Sequence, residues 1–113
     1  MTDIRAQTRF LALSAQKVRL VIGLVRGKGA NEALEILRLV NKRGALPVRK
    51  LVASAVSNAE ENFGVSRDNL IVAKIFADEA PTRKWRRFGA RGRFKPILRR
   101  NSHVTVILRE RGA

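Results

Sequence analysis

The chain has 113 residues, 45% of them apolar, and its 24 Lys or Arg against 9 Asp or Glu give a formal charge of +15. That size supports one domain with a modest core, and that charge calls for a polyanionic partner. The absence of cysteine excludes disulfides and thiolate metal sites, while MTDIRAQTRF has no signal-peptide h-region and no apolar run reaches the ~18 residues of a membrane span, so an intracellular, soluble protein is expected.

In chain order, Ile4, Ala6, Thr8 and Phe10 alternate with Arg5, Gln7 and Arg9, which predicts a half-buried strand with a basic outer face. Ser14 is placed as the N-cap of a helix whose apolar face is Val18, Val21, Ile22 and Val25, with Gly27 and Gly29 ending it. Asn31 is expected to cap a second helix, with Glu32 and Glu35 in its first turns and Ala33, Leu34, Leu37 and Val40 as its stripe. After a break at Asn41-Lys42-Arg43-Gly44, a third helix is predicted from Ala45 to about Asn62, with Pro47 tolerated in its first turn. It buries Leu51, Val52, Ala55, Val56 and Ala59, with Phe63 at the end of that stripe, and Gly64 terminates it. Leu70 to Ala77 and Val104 to Leu108 are short, apolar and rich in β-branched residues, and read as two strands of one antiparallel sheet.

Between those strands lies PTRKWRRFGARGRFKPILRR, Pro81 to Arg100, with nine Lys or Arg, three aromatics and no acid. It takes nine of the fifteen net charges and leaves +6 for the other 93 residues. Such a length is either an Ω-like loop or the two arms of an outstretched hairpin; Gly89 and Gly92 stand near the midpoint, and Pro96 suits an unpaired or edge position. About twelve residues per arm at ~3.3 Å each would project on the order of 40 Å. No core lies out there to hold it, so its natural solvent is a field of phosphates, with Trp85, Phe88 and Phe94 offering ring faces to unstacked bases. Arg outnumbers Lys seven to two, which favours bidentate phosphate contacts. A plain solvated loop or localisation signal is the bland alternative, but neither needs interleaved aromatics and flanking strands.

Catalytic chemistry is thin. His103 is the only histidine, and on a strand it suits hydrogen bonding or RNA contact better than general-base work. Gly27-Lys28-Gly29 is not a P-loop, since Ile22 stands five before Gly27 and Gly29 occupies the position of the magnesium-binding Ser or Thr. Glu60-Glu61 and Asp78-Glu79 are adjacent acids expected to meet Arg or Lys rather than to converge on a substrate. The reading is no enzyme, no catalytic residue, no metal site and no cofactor. Two rivals are a DNA-bending architectural protein with a basic β-arm, which would act as a symmetric dimer, and, more remotely, a basic ribonuclease.

SAQKVRLV (Ser14 to Val21), VRGK (Val25 to Lys28), NKRG (Asn41 to Gly44), KIFADEAP (Lys74 to Pro81), ARGR (Ala90 to Arg93) and NSHVTV (Asn101 to Val106) follow one another in the order and spacing of a known family. Over essentially its whole length the chain resembles the bacterial large-subunit ribosomal protein numbered twenty-two. The resemblance implies an α+β fold with three helices packed on a three-stranded antiparallel sheet and a long protruding β-hairpin. It implies a single domain over residues 1–113, with a globular body at 1–78 and 102–113 and the basic hairpin at 79–101. It implies a structural constituent of the large subunit in the cytoplasm, monomeric within the ribosome and without membrane contact. The body would lie near the tunnel exit, assisting assembly, and the hairpin tip would line the polypeptide exit tunnel beside neighbouring ribosomal proteins and the nascent polypeptide.

On this reading the ribosomal RNA contacts are Arg5, Arg9, Ser14, Lys17, Arg19, Lys28, Lys42, Arg43, Arg83, Lys84, Trp85, Arg86, Arg87, Arg91, Arg93, Lys95, Arg99, Arg100 and His103. The tunnel-lining residues are Phe88, Gly89, Ala90, Arg91, Gly92 and Arg93. In relatives, changes in the stretch matching Arg83, Lys84 and Trp85 are associated with macrolide resistance. The chain departs from the family pattern at Gly89, usually Arg, at Phe94, usually Ala, at Trp85, where a basic residue is commoner, and at Ala80, usually Gly. Trp85 has two readings, stacking on a base or packing on Arg93 across the hairpin.

Overall fold

The computed structural model describes residues 3–88 and 94–111, with side chains described at 3–81 and 100–111. Its order is β1 (Ile4–Leu11), α1 (Ala15–Ile22), α2 (Ala30–Leu39), α3 (Ala45–Phe63), a 3-10 turn at Arg67–Asn69, β2 (Leu70–Phe88) and β3 (Phe94–Glu110). The strands form one antiparallel sheet in the order β1-β3-β2, and the three helices pack on one face of it.

The central strand shows why the sequence folds this way. Ser102, Val104, Val106 and Leu108 alternate onto the helix side and are all buried, and β1 and β2 lay Ile4, Val72, Ile75 and Ala77 beside them. Against this surface α1 buries Val18, Val21 and Ile22, and α3 buries Val48, Val52, Ala55, Val56 and Ala59. The i, i+3, i+4 spacing of these residues puts them on one stripe of each helix, so sheet and helices desolvate each other.

Helix ends depart from expectation where the tertiary structure recruits a residue. Ser14 does cap α1, its Oγ accepting from the Lys17 backbone N–H at 3.4 Å, but α1 stops at Ile22 with Gly23 as its C-cap, so Val25 is buried from the following turn. Asn31 does not cap α2. Gly29 does, and the Asn31 side chain instead donates to Asp68 Oδ1 at 2.7 Å. A Cβ at Gly29 would come within 2.7 Å of Arg111 Nη2, so the bare backbone suits that close approach. Gly64 ends α3 with φ 65°, the left-handed conformation that glycine adopts without a side-chain penalty. Phe63, expected at the end of the buried stripe, is half exposed.

β1 carries the largest local departure. Its register to β3 breaks between Thr8 and Leu11, and Phe10 takes φ 54°, rare for a bulky residue. The irregularity turns Phe10 away from the core, leaving it 53% exposed, where alternation alone had placed it with Ile4 and Ala6. Its backbone N–H donates to His103 Nδ1 at 3.0 Å, and the two rings meet edge to face at 4.7 Å.

β2 and β3 run far past the core. They pair from Leu70 opposite Glu110 to Phe88 opposite Phe94, with register shifts at Val72/Lys74 and at Ala80/Arg83. The second shift inserts an extra β2 residue at Pro81-Thr82, and Asn101 Nδ2 donates to the Pro81 carbonyl at 3.3 Å. A bulge there increases local twist and bends the strand, which re-aims everything beyond it. The molecule measures 63 × 25 × 18 Å.

Candidate nucleic-acid interface

The outer edge of β2 is closed only along its first part. The turn after α1 pairs with it, with Gly27 N–H donating to the Val72 carbonyl at 2.9 Å and Val72 N–H to the Lys28 carbonyl at 2.8 Å. Arg26 then donates to the Ile75 carbonyl at 2.9 Å, and Arg19 to the Ala77 carbonyl from Nε at 3.2 Å and Nη2 at 2.8 Å. Two guanidinium groups thus satisfy edge carbonyls that would otherwise seek another strand. Arg19, expected as an RNA contact, is in this structure a clamp between α1 and β2.

Past Ala77 the strand enters a different setting. Ala12, Ser14, Lys17 and Arg43 from the α1 side face Glu79, Arg100 and Asn101 at the root of the paired strands, across an open cleft of about 670 Å³. Sequence positions nearly ninety apart are thereby brought together, and four of the expected RNA contacts, Ser14, Lys17, Arg43 and Arg100, share one wall-to-wall space. The N-terminus of α1 lies in this cleft and adds the positive end of the helix dipole to three cations. Glu79 is the one acid among its lining residues.

The other expected contacts lie elsewhere. Arg5 and Arg9 are exposed on the sheet face opposite the helices, where His103 is half buried. Lys28 is exposed beside the edge of β2, and Lys42 projects from the turn before α3. For Arg83, Lys84, Trp85, Arg86, Arg87, Phe88, Lys95 and Arg99 the backbone pairing is described and the side chains are not, while Gly89, Ala90, Arg91, Gly92 and Arg93 lie outside the described residues. Of the adjacent acids, Glu60 pairs with Arg67 at 2.7 Å, both partly exposed. At the far end of the sheet, the Arg109 guanidinium holds the Asp3 carboxyl below the ordinary carboxylate range, chiefly through their 2.7 Å hydrogen bond. Both side chains are partly exposed, so this pair adds little stability.

Among the described residues no three His, Asp or Glu lie close enough to hold a metal ion, and no helix is long and apolar enough to cross a membrane. Lys74, Phe76 and Phe10 are exposed, and no local pattern in the sequence tells which strand face the helices leave open.

The comparison that decides the family is a match to the model described as Ribosomal protein L22p/L17e, over residues 6–109. The chain belongs to that family. A protein named large ribosomal subunit protein uL22, from Thermoanaerobacter pseudethanolicus, is 47% identical over 109 residues, covering 96% of this chain and 98% of its own length. One of the same name from a Thermoanaerobacter species matches to the same extent. Members of the L22p/L17e family are ribosomal proteins, structural rather than catalytic, which agrees with the absence of any assembled nucleophile and base in the sequence. Within the L22p/L17e match fall both the α1 cleft and the whole of the β2–β3 pairing from Ile71 to Arg109.

Proposed function

We propose that the chain is a constituent of the large ribosomal subunit in the cytoplasm that binds large-subunit ribosomal RNA through the cleft at α1 and through the basic β2–β3 arm, assists assembly, and reaches the polypeptide exit tunnel with residues 88–93. The observation that carries this is the continued pairing of β2 and β3 beyond the core, through a segment with nine cations and no acid. A two-stranded ribbon with no apolar layer beneath it has little to stabilise it in water. Phosphates on both sides supply what a core would: each contact releases counterions and is charge-assisted. The body, 1–78 and 102–113, then acts as the rigid base that aims the arm, residues 79–101, with the Pro81-Thr82 bulge as the corner between them. The cleft at that corner suits backbone phosphate, since Lys17, Arg43 and Arg100 all line it beside the N-terminus of α1.

The test is chemical probing of the large-subunit RNA in particles reconstituted with the wild-type chain or with Lys17→Ala/Arg43→Ala/Arg100→Ala. The expected result is a discrete set of protections lost in the triple variant, with arm-dependent protections retained. An unchanged footprint would remove the cleft from the interface.

A further inference from the structure

The helix-free face of the sheet carries an aromatic diagonal. Because Ile75 and Ala77 point into the core, Lys74, Phe76 and Asp78 of β2 point to the open face. On β3, His103, Thr105 and Ile107 alternate with Ser102, Val104, Val106 and Leu108 and so occupy the same face, where Thr105 is fully covered and accepts from Gln7 Nε2 at 3.3 Å. Phe76 sits opposite Thr105, His103 is two residues along, and the Phe10 ring of β1 contacts His103. Diagonal neighbours in a sheet lie about 7 Å apart, so Phe76, His103 and Phe10 step across all three strands.

Both phenylalanines are exposed, Phe76 at 37% and Phe10 at 53%. Exposed rings are ordinary singly; a file of them on one open face beside unpaired cations is not. Arg5, Arg9 and Lys74 share this face and none is in an ion pair among the described residues, while Asp78, opposite His103, is its unpaired acid and Asp3 is engaged by Arg109. The Arg9 guanidinium lies 5.7 Å from the centre of the Phe10 ring. Phe10 is also held at φ 54° with His103 accepting its N–H, so an unfavourable backbone conformation is maintained with the ring turned to solvent. Strain of this kind concentrates where a ligand is held.

We infer that this face is a stacking surface for unpaired nucleobases of the large-subunit RNA, with Phe10 and Phe76 as the platforms and Arg5, Arg9 and Lys74 holding the flanking phosphates. The inference rests on the RNA-binding reading above. RNA is favoured over a protein neighbour because Arg5, Arg9 and Lys74 stand beside the rings without an ion pair among the described residues, on a chain of net charge +15, which complements a polyanion. Open sheet faces with exposed aromatics receive unstacked bases by this chemistry, and each base stacked contributes enough to change affinity about tenfold.

The test uses the full chain in reconstituted large subunits, irradiated with short-wavelength ultraviolet light, with RNA adducts mapped by peptide. Base adducts are expected at Phe10 and Phe76, absent in Phe10→Leu/Phe76→Leu while adducts within the arm persist. The same double variant should lose about a hundredfold in affinity for large-subunit RNA, about tenfold for each platform, with its salt slope unchanged, because no charge is removed. Leucine at position 10 keeps the backbone requirement, and single Phe76→Leu, which touches no strained residue, should show its half of the effect. Arm adducts without any at Phe10 or Phe76 would overturn the inference and leave the RNA reading intact. Protein–protein adducts at these rings would also overturn it, and no RNA adducts anywhere would defeat the RNA-binding reading itself.

Discussion

Replacing Arg83–Arg99 by a two-residue Asn-Gly turn is expected to reduce the slope of log affinity against log salt by roughly six to seven, with the body still folded. Eight of the nine cations of the arm lie in that stretch, and each phosphate contact contributes about 0.7–0.9 to the slope. Affinity at low salt should fall by several orders of magnitude, while the difference narrows as the salt concentration rises. The melting transition should change little, because the excised residues lie beyond Ala80, the last buried residue of β2 among those with described side chains. Salt-titrated binding to large-subunit RNA with a parallel thermal melt measures both. An unchanged slope would mean that the arm is not the anchor, and a lost melt would mean that the arm is part of the folding unit.

The second large effect concerns that folding unit. Leu108 is fully buried on the central strand, between Ile4 of β1 and Val72 of β2. Leu108→Ala should cost about 3 kcal/mol, the loss of a buried side chain plus the cavity it leaves. Against a total of about 5–15 kcal/mol for a domain of this kind, that is a large fraction. Leu39→Ala, at a residue 80% exposed near the end of α2, should change stability by less than about 0.5 kcal/mol. Urea unfolding of the two variants separates the outcomes, since a shift at Leu39 equal to that at Leu108 would contradict the burial pattern.

The parts of the fold legible in the sequence are those where one local signal decides the outcome. Ser14 ahead of Val18, Val21 and Ile22 gave both a cap and a face, and the left-handed end of α3 needed a glycine at position 64. The three strands were legible at their apolar stretches, and the three helices at their stripes. What was not legible depends on distant partners. Asn31 is an ordinary N-cap by type, and only Asp68, 37 residues on, draws it away. Phe10 obeys a two-residue period until His103, 93 residues on, holds its N–H and turns the backbone. Leu70 to Ala77 announces itself by β-branched residues, whereas the continuation to Phe88 lacks such an apolar run and is seen only in its register with β3.

The interface shows the same division. Charge density marked the arm, since nine cations without an acid need no structure to be noticed. Arg19 looked like any other cation, and only the Ala77 carbonyl at 2.8 Å shows that its guanidinium also holds the sheet edge. Conversely, Lys17, Arg43 and Arg100 are unremarkable apart and become a cleft only when β3 returns to the start of α1.

The proposed arm leaves the body at the Pro81-Thr82 bulge, runs through RNA and ends at the nascent chain. The most direct measurement places a photocrosslinker at residue 91 of the full chain and at residue 17 as a reference, in purified large subunits carrying a radiolabelled nascent polypeptide. Position 91 should label both RNA and the nascent chain, and position 17 should label RNA alone. Labelling of the nascent chain from position 17, or of RNA alone from position 91, would contradict the account.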